Sequence, residues 1–301
     1  MNDPAVMIAR DPLGCHEVRW PLRHLTLAGE HWPASQPQGE RPPIVALHGW
    51  LDNCRSFARL APELTDLGDV YAVDLAGHGH SDHRPPGQGY PLMEYVADLA
   101  ELLDSHFSGP VDLVSHSLGG IVSILFAAAF PEKVRKVAMI DSLGPISKPP
   151  EELVDQLRRS IRKRLSGSGH PAVYPDHESA ARVRAQGMIP LSHEAAMLLI
   201  SRSMKAVDGG FAWRTDARLR HPSMLMMDEQ QVLAALARVA PPVLFVEARN
   251  GLLSRRPQWD ARIRAIASLT HVEVPGSHHC HLEGDISPVV AAIRKFLTDG
   301  K

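Results

Sequence analysis

The 301-residue sequence is poor in the features that mark special environments. It has three cysteines, Cys15, Cys54 and Cys280, far apart and with no pair at metal-clip spacing. An odd, scattered set of this kind argues against a disulfide framework and predicts reduced thiols in a cytosol. Excess charge of one sign is also lacking. The formal net charge is -2, so there is no bulk attraction to nucleic acid or to an anionic membrane. No apolar window approaches the roughly 18 residues of a membrane span. The N-terminus shows no charged region followed by an apolar one. Leu13-Gly14-Cys15 lacks the apolar stretch that should precede a lipidation box. Repeats and low-complexity tracts are missing too. The expectation is a soluble, cytoplasmic protein with one large core, long enough to carry an insertion.

What is present alternates between two periods. Residues 17–32 alternate loosely, as paired half-buried strands do. Pro43-Ile44-Val45-Ala46-Leu47 is a short continuous apolar run, which suits a strand buried on both faces of a parallel sheet. Val70–Val73, Val111–Val114, Val134–Ile140, Val243–Val246 and His271–Val274 read the same way. Helical periodicity separates most of them. It runs through a segment bearing Phe57, Leu60 and Leu64 with Asp52 or Asn53 as cap, then Tyr90–Phe107 and Leu118–Phe130. Further helices are expected over Asp228–Ala240, about 256–267 and Ile286–Leu297. Strands alternating with helices through short connections predict an α/β protein with a mainly parallel sheet. From Gly144 to about Met227 no strand-like run is seen, and helical patches at Glu151–Leu165 and Glu194–Met204 predict a helical insertion. The expected organisation is a core over 1–145, a helical cap over 146–227 and the rest of the core over 228–301.

In such sheets, sites lie at the carboxyl ends of the strands. The run Val111-Asp112-Leu113-Val114-Ser115-His116-Ser117-Leu118-Gly119-Gly120 passes from strand to helix through one sharp turn. That setting, rather than the serine alone, makes Ser117 a nucleophile at the tip of an elbow instead of a simple helix cap. Serine needs a base to take its proton. The loop after the last strand, Pro275-Gly276-Ser277-His278-His279-Cys280-His281, supplies candidates. His278 comes first after the turn and is preferred, with His279 second and His281 as loop support. The same run could be a metal cluster, but adjacent histidines point apart and no closing partner is evident. The orienting acid is expected after Val243–Val246, where Glu247-Ala248-Arg249-Asn250-Gly251 holds no aspartate. Asp141, at the end of the preceding strand, keeps the chain order serine, acid, histidine. Glu247 is the alternative, and Asp260 is placed on a helix. The N–H groups of Leu118 and of Trp50, in the loop after His48-Gly49, would form an oxyanion hole. His48 reads as structural, and Gly77-His78-Gly79-His80-Ser81 as a loop packed beside the site, since no Lys-Ser/Thr follows to make a phosphate loop. Arg158-Arg159-Ser160-Ile161-Arg162-Lys163-Arg164 is either a solvated helix face or a dock for an anionic substrate portion such as a coenzyme A phosphate. Met188, Met197, Met204, Met224, Met226 and Met227 suit a core or an adaptable acyl pocket.

Taken as an ordered set, these motifs resemble the α/β-hydrolase superfamily over nearly the full length. His48-Gly49-Trp50-Leu51-Asp52-Asn53, the loop from Asp74 to Ser81, the elbow, the acid-free Ala248-Arg249-Asn250-Gly251 loop and Val272-Glu273-Val274-Pro275-Gly276-Ser277-His278 resemble the serine hydrolase-like proteins within it. The departure is Ser115, where the elbow usually has glycine. The resemblance implies an eight-stranded sheet with a helical cap inserted after strand 6, a Ser117–Asp141–His278 triad, and neither cofactor nor metal. It names no substrate. Two functions follow as expectations. The first is a serine hydrolase of small-molecule carboxylic esters or thioesters. The second is a non-catalytic binding or scaffold protein on the same fold. Nucleic-acid binding and membrane insertion are not expected, and the sequence does not specify an oligomeric state.

Overall fold

A computed structural model describes residues 14–36, 41–169, 171–253 and 259–299. Two antiparallel strands open the chain, β1 (His16–Pro21) and β2 (Thr26–Trp32). The next elements are β3 (Ile44–Leu47), β4 (Val70–Asp74), α1 (Leu92–His106), β5 (Val111–His116), α2 (Leu118–Ala129) and β6 (Val134–Ile140). An insertion then carries α3 (Leu153–Leu165), β7 (Val173–Tyr174), α4 (His177–Ala185), α5 (His193–Ser203), β8 (Met204–Val207) and β9 (Gly210–Trp213). The chain returns through α6 (Glu229–Leu236), β10 (Val243–Asn250), α7 (Trp259–Ala265), β11 (Leu269–Ser277) and α8 (Ser287–Thr298). The main sheet has eight strands in the order β1-β2-β4-β3-β5-β6-β10-β11, parallel from β4 onward, so the α/β-hydrolase architecture expected from the sequence is present.

The short apolar runs become central strands because both of their faces are covered. Val45 and Leu47 point to one side, with Val73, Leu113, Val137 and Phe245, beneath α1 and α2. Ile44 and Ala46 point to the other, with Val114, Ala138, Ile140 and Val246, against α8. Burying large aliphatic side chains on both faces contributes about 1.5–3 kcal/mol each, and this term fixes register. α6 starts where Asp228 and Gln231 form a reciprocal capping box. Cys54 and Cys280 are buried thiols, and Cys15 is buried too. Among the described residues no helix is long and apolar enough to cross a membrane.

Two local expectations need correcting. The segment bearing Phe57, Leu60 and Leu64 forms two short 3-10 turns, Cys54–Phe57 and Ala61–Leu64, rather than one helix, and Pro62 lies in the second. Asn53, not Asp52, caps the first by accepting from Arg55 N–H at 3.0 Å. The insertion is also not purely helical. β7, β9 and β8 form a small antiparallel sheet. β8 and β9 are joined through Asp208-Gly209, with Gly209 at φ 84, a two-residue hairpin turn legible in the sequence. Part of the helix expected at about 256–267 lies outside the described residues, and α7 is the remainder.

Candidate active site

The turn between β5 and α2 is strained at one residue. Ser117 has φ 50 and ψ -113, outside the regions that non-glycine residues favour. Its N–H donates to Ile140 O at 3.2 Å, and Ser142 Oγ donates to Ser117 O at 2.7 Å. Both partners belong to β6 or its exit, so the neighbouring strand holds the elbow. Close packing dictates the glycine that follows. A Cβ at Gly119 would sit 2.0 Å from Leu47 O, so the start of α2 can lie against the end of β3 only without a side chain. Ser115, the departure from the usual glycine, is fully buried, and its hydroxyl hydrogen-bonds Ser123 Oγ on α2 at 2.6 Å. The extra oxygen is thus satisfied inside the turn.

His278 lies just past β11 and is 3% exposed. Its Nδ1–H donates to Asp141 Oδ2 at 2.5 Å. That bond leaves the Nε2 of the neutral ring as the lone-pair nitrogen. Its ring packs on His116, the residue before Ser117, at 4.4 Å between centroids. Asp141 follows β6 with φ 43, and its carboxylate also accepts from Leu252 N–H at 2.9 Å. The stretch expected as an acid-free loop is mostly strand, since β10 runs to Asn250, and at Gly251 just beyond it a Cβ would meet Asp141 Oδ1 at 2.4 Å. A glycine stands where a side chain would collide with the acid. Glu247, the alternative acid, accepts instead from His271 Nε2 at 2.8 Å and makes no contact with His278 among the described residues.

The second loop expected at the site forms a tight turn. Asp52 N–H donates to Gly49 O at 3.1 Å, with Leu51 at φ 64 and Trp50 between them. His48 and His78 brace it. Leu75 N–H donates to His48 Nε2 at 3.0 Å, so His48 Nδ1–H faces Gly49 O at 2.7 Å. Leu51 N–H donates to His78 Nε2 at 3.2 Å. Burial lowers the pKa of both rings, that of His78 to about 3, so each stays neutral and keeps its accepting nitrogen. His48 is structural, as its sequence context suggested. Leu118 opens α2, whose first N–H groups have no intrahelical partner. Gly119 N–H, the next in the helix, donates to His48 O at 3.0 Å and ties the start of α2 to the end of β3.

A group of buried charges behind these residues was not apparent in the sequence. Asp52 Oδ2 accepts from His279 Nε2 at 3.0 Å and Oδ1 from Arg184 Nη2, on α4, at 2.8 Å. Burial alone would raise the pKa of Asp52, but His279 and Arg184 outweigh it and hold the carboxyl well below its usual range. His116 Nε2–H donates to His278 O at 3.0 Å, which ties the loop to the elbow from behind. His281 packs beneath it and hydrogen-bonds Ser56 Oγ at 2.9 Å. Ligand atoms of Asp52, His116 and His279 lie within 4.8 Å of one another. The carboxylate among them is already shared by an imidazole and a guanidinium. His278, Cys280 and His281, the other members of the run weighed as a metal cluster, are not part of that group.

Asp74, at the end of β4, is the other buried anchor. It accepts from Cys54 N–H at 2.7 Å, His80 N–H at 2.8 Å and Arg202 Nε at 2.7 Å. A Cβ at Gly79 (φ +49) would strike this carboxylate at 2.2 Å, so the glycine-rich loop serves as its cradle. Arg202 is 2% exposed and also reaches Glu17 Oε2 at 2.5 Å. Asn53 Nδ2 donates to Leu199 O and to Ser203 Oγ, each at 2.9 Å, and Trp50 Nε1 to Leu219 O at 3.0 Å. Through these contacts the insertion sits on the carboxyl ends of β3 and β4.

Comparison with known proteins agrees with this fold. Residues 42–181 match the family model described as alpha/beta hydrolase fold. A serine hydrolase-like protein of Danio rerio is 30% identical over 93% of this chain and 88% of its own length. A probable serine hydrolase of Drosophila melanogaster is 32% identical over 81% of this chain and 77% of its own. Among solved structures, a hypothetical protein of Pseudomonas aeruginosa PAO1 superposes with a TM-score of 0.86 at 37% identity, covering 93% of this chain and 98% of that one.

Proposed function

The chain belongs to the α/β-hydrolase superfamily, and on that premise we propose that it is a serine hydrolase cleaving carboxylic esters or thioesters through an acyl-enzyme intermediate. The observation that carries this reading is the buried hydrogen bond from His278 Nδ1–H to Asp141, beside a serine held in an elbow. In the proposed reaction Ser117 Oγ attacks the acyl carbon as His278 Nε2 takes its proton. Asp141 holds the imidazole tautomer and stabilises the imidazolium. The N–H groups of Leu118 and Trp50 hold the oxyanion, each contributing about 3 kcal/mol to the transition state. Collapse expels the alcohol or thiol, which takes the proton from His278. A water molecule, deprotonated by the same nitrogen, then releases the acid and restores the hydroxyl. We assign residues 146–227 the part of a cap that selects small acyl substrates, between core segments 1–145 and 228–301, in a cytosolic setting.

A fluorophosphonate probe tests the reading. It should label the wild-type protein and leave Ser117→Ala unlabelled. Failure to label folded wild type under conditions that label a control hydrolase would overturn the enzyme reading in favour of a binding protein on the same fold.

A further inference from the structure

Helix α3 rests on the protein through its polar side and turns its apolar side to solvent. Its buried residues are Gln156 and Ser160, which donate to Ser223 O and Pro222 O, each at 2.6 Å. Val154, Leu157, Ile161 and Leu165, three or four positions apart, form one stripe and are 63%, 39%, 41% and 83% exposed. A helix that only packs on a soluble protein shows the reverse arrangement, with the apolar stripe inward.

The arc beside the stripe is cationic. Arg158 and Arg162 flank the stripe and are exposed, Arg159 and Lys163 follow further round the helix, and Asp155, its single acidic residue, lies among them and pairs with Arg158 at 3.2 Å. With the whole chain at -2, this face is a local basic patch on a slightly acidic protein. Charge therefore selects the occupant. A twofold contact with a second copy would set two arginine-rich arcs against each other, which is unfavourable. An aliphatic stripe bordered by arginine and lysine on an otherwise polar helix matches the boundary of an anionic bilayer, apolar inside and negative at the headgroups.

We propose that α3 is a peripheral docking element for an anionic lipid surface. Its stripe enters the boundary between headgroups and acyl chains, and its arginines meet lipid phosphates. Docking does not depend on the hydrolase reading, since it needs neither Ser117 nor His278.

Co-sedimentation with vesicles tests the proposal on the full chain. Wild type should pellet with phosphatidylglycerol vesicles, not with phosphatidylcholine vesicles, and added salt should weaken the binding. Each basic residue near such a surface contributes roughly fivefold, so the double change Arg158→Glu/Arg162→Glu should cut binding about 25-fold or more. Leu157→Ser/Ile161→Ser should cut it comparably. All four positions are exposed, so both variants should keep the wild-type melting temperature. Equal binding of wild type and folded variants would overturn the proposal, as would salt-insensitive binding to phosphatidylcholine. Absence of vesicle binding would overturn it as well. In that case a dimer lost in Leu157→Ser/Ile161→Ser would assign the face to a second copy, and a monomer would leave it to a protein partner.

Discussion

Asp52 and Arg184 stand 132 positions apart in the chain and are joined at 2.8 Å, with the Asp52 side chain 1% exposed. The other oxygen of the same carboxylate holds His279, the residue after His278. One buried side chain thus connects helix α4 of the insertion to the loop that carries the proposed base. Removing a partner from a buried pair leaves an uncompensated charge. Arg184→Met should therefore cost about 3 kcal/mol of unfolding free energy, read from urea melts. On a p-nitrophenyl ester, kcat should fall more than KM rises, because the loop loosens without loss of a substrate contact. An unchanged kcat would separate the ion pair from the chemistry.

The two carboxylates near the end of the sheet should differ sharply. Asp141→Asn keeps the shape but loses the charge that fixes the His278 tautomer, and kcat should drop by roughly 10⁴. Glu247→Gln disturbs only a partly exposed pair with His271 and should leave kcat within about twofold. Steady-state kinetics of the two variants checks the assignment, and the opposite ranking would move the acid to Glu247.

The elbow should carry a measurable strain. Ser117 at φ 50 pays a penalty that glycine does not. Ser117→Gly should raise stability by about 1 kcal/mol while removing turnover on the same ester. Paired melts of wild type and variant test this. A less stable variant would mean that the serine side chain is itself part of the packing.

Acid should weaken the fold from near neutrality downward. Burial lowers the folded-state pKa of His48, His78, His116 and His281. Unfolding restores each to about 6.5. Below that pH the unfolded chain binds protons that the folded chain refuses, so unfolding free energy falls as pH falls. The slope is up to about 1.4 kcal/mol per pH unit for each imidazole. Asp98 and Asp112, raised by burial to about 6, work in the opposite sense, because there the folded chain binds the proton first. The loss should set in near about pH 6.5 and continue below about pH 6, where the carboxyls offset only part of the imidazole slope. Melting temperatures across a pH series check the shape, and a flat profile down to about pH 5 would contradict it.

Much of this was legible in the sequence, for local reasons. The central strands announced themselves because a strand buried on both faces must be apolar at consecutive positions. The elbow did so because only small residues fit the approach of Gly119 to Leu47. Asp141 was singled out as the proposed acid by exclusion, since Glu247–Gly251 holds no aspartate, and the structure places its carboxylate on His278 Nδ1. The pairing of Asp52 with Arg184 and of Asp74 with Arg202 could not be read, because partners more than a hundred residues apart leave no periodic signal. Asp52 looked like a helix cap for the same reason. The β8–β9 hairpin was a different kind of miss. Its Asp208-Gly209 turn was in plain view, but the flanking strands have four residues each, too few to show alternation.

The position of Asp141 also bears on how this chain could be re-engineered. The polypeptide leaves the acid and enters the insertion within a few residues. On the way, Ser142 ties back to the elbow carbonyl and Gly144 turns at φ 82. A graft that exchanges one insertion for another would have its upstream seam inside the proposed triad if cut at the end of β6. The safe junction lies after Gly144, so that Asp141, Ser142 and the turn travel with the sheet rather than with the donor segment.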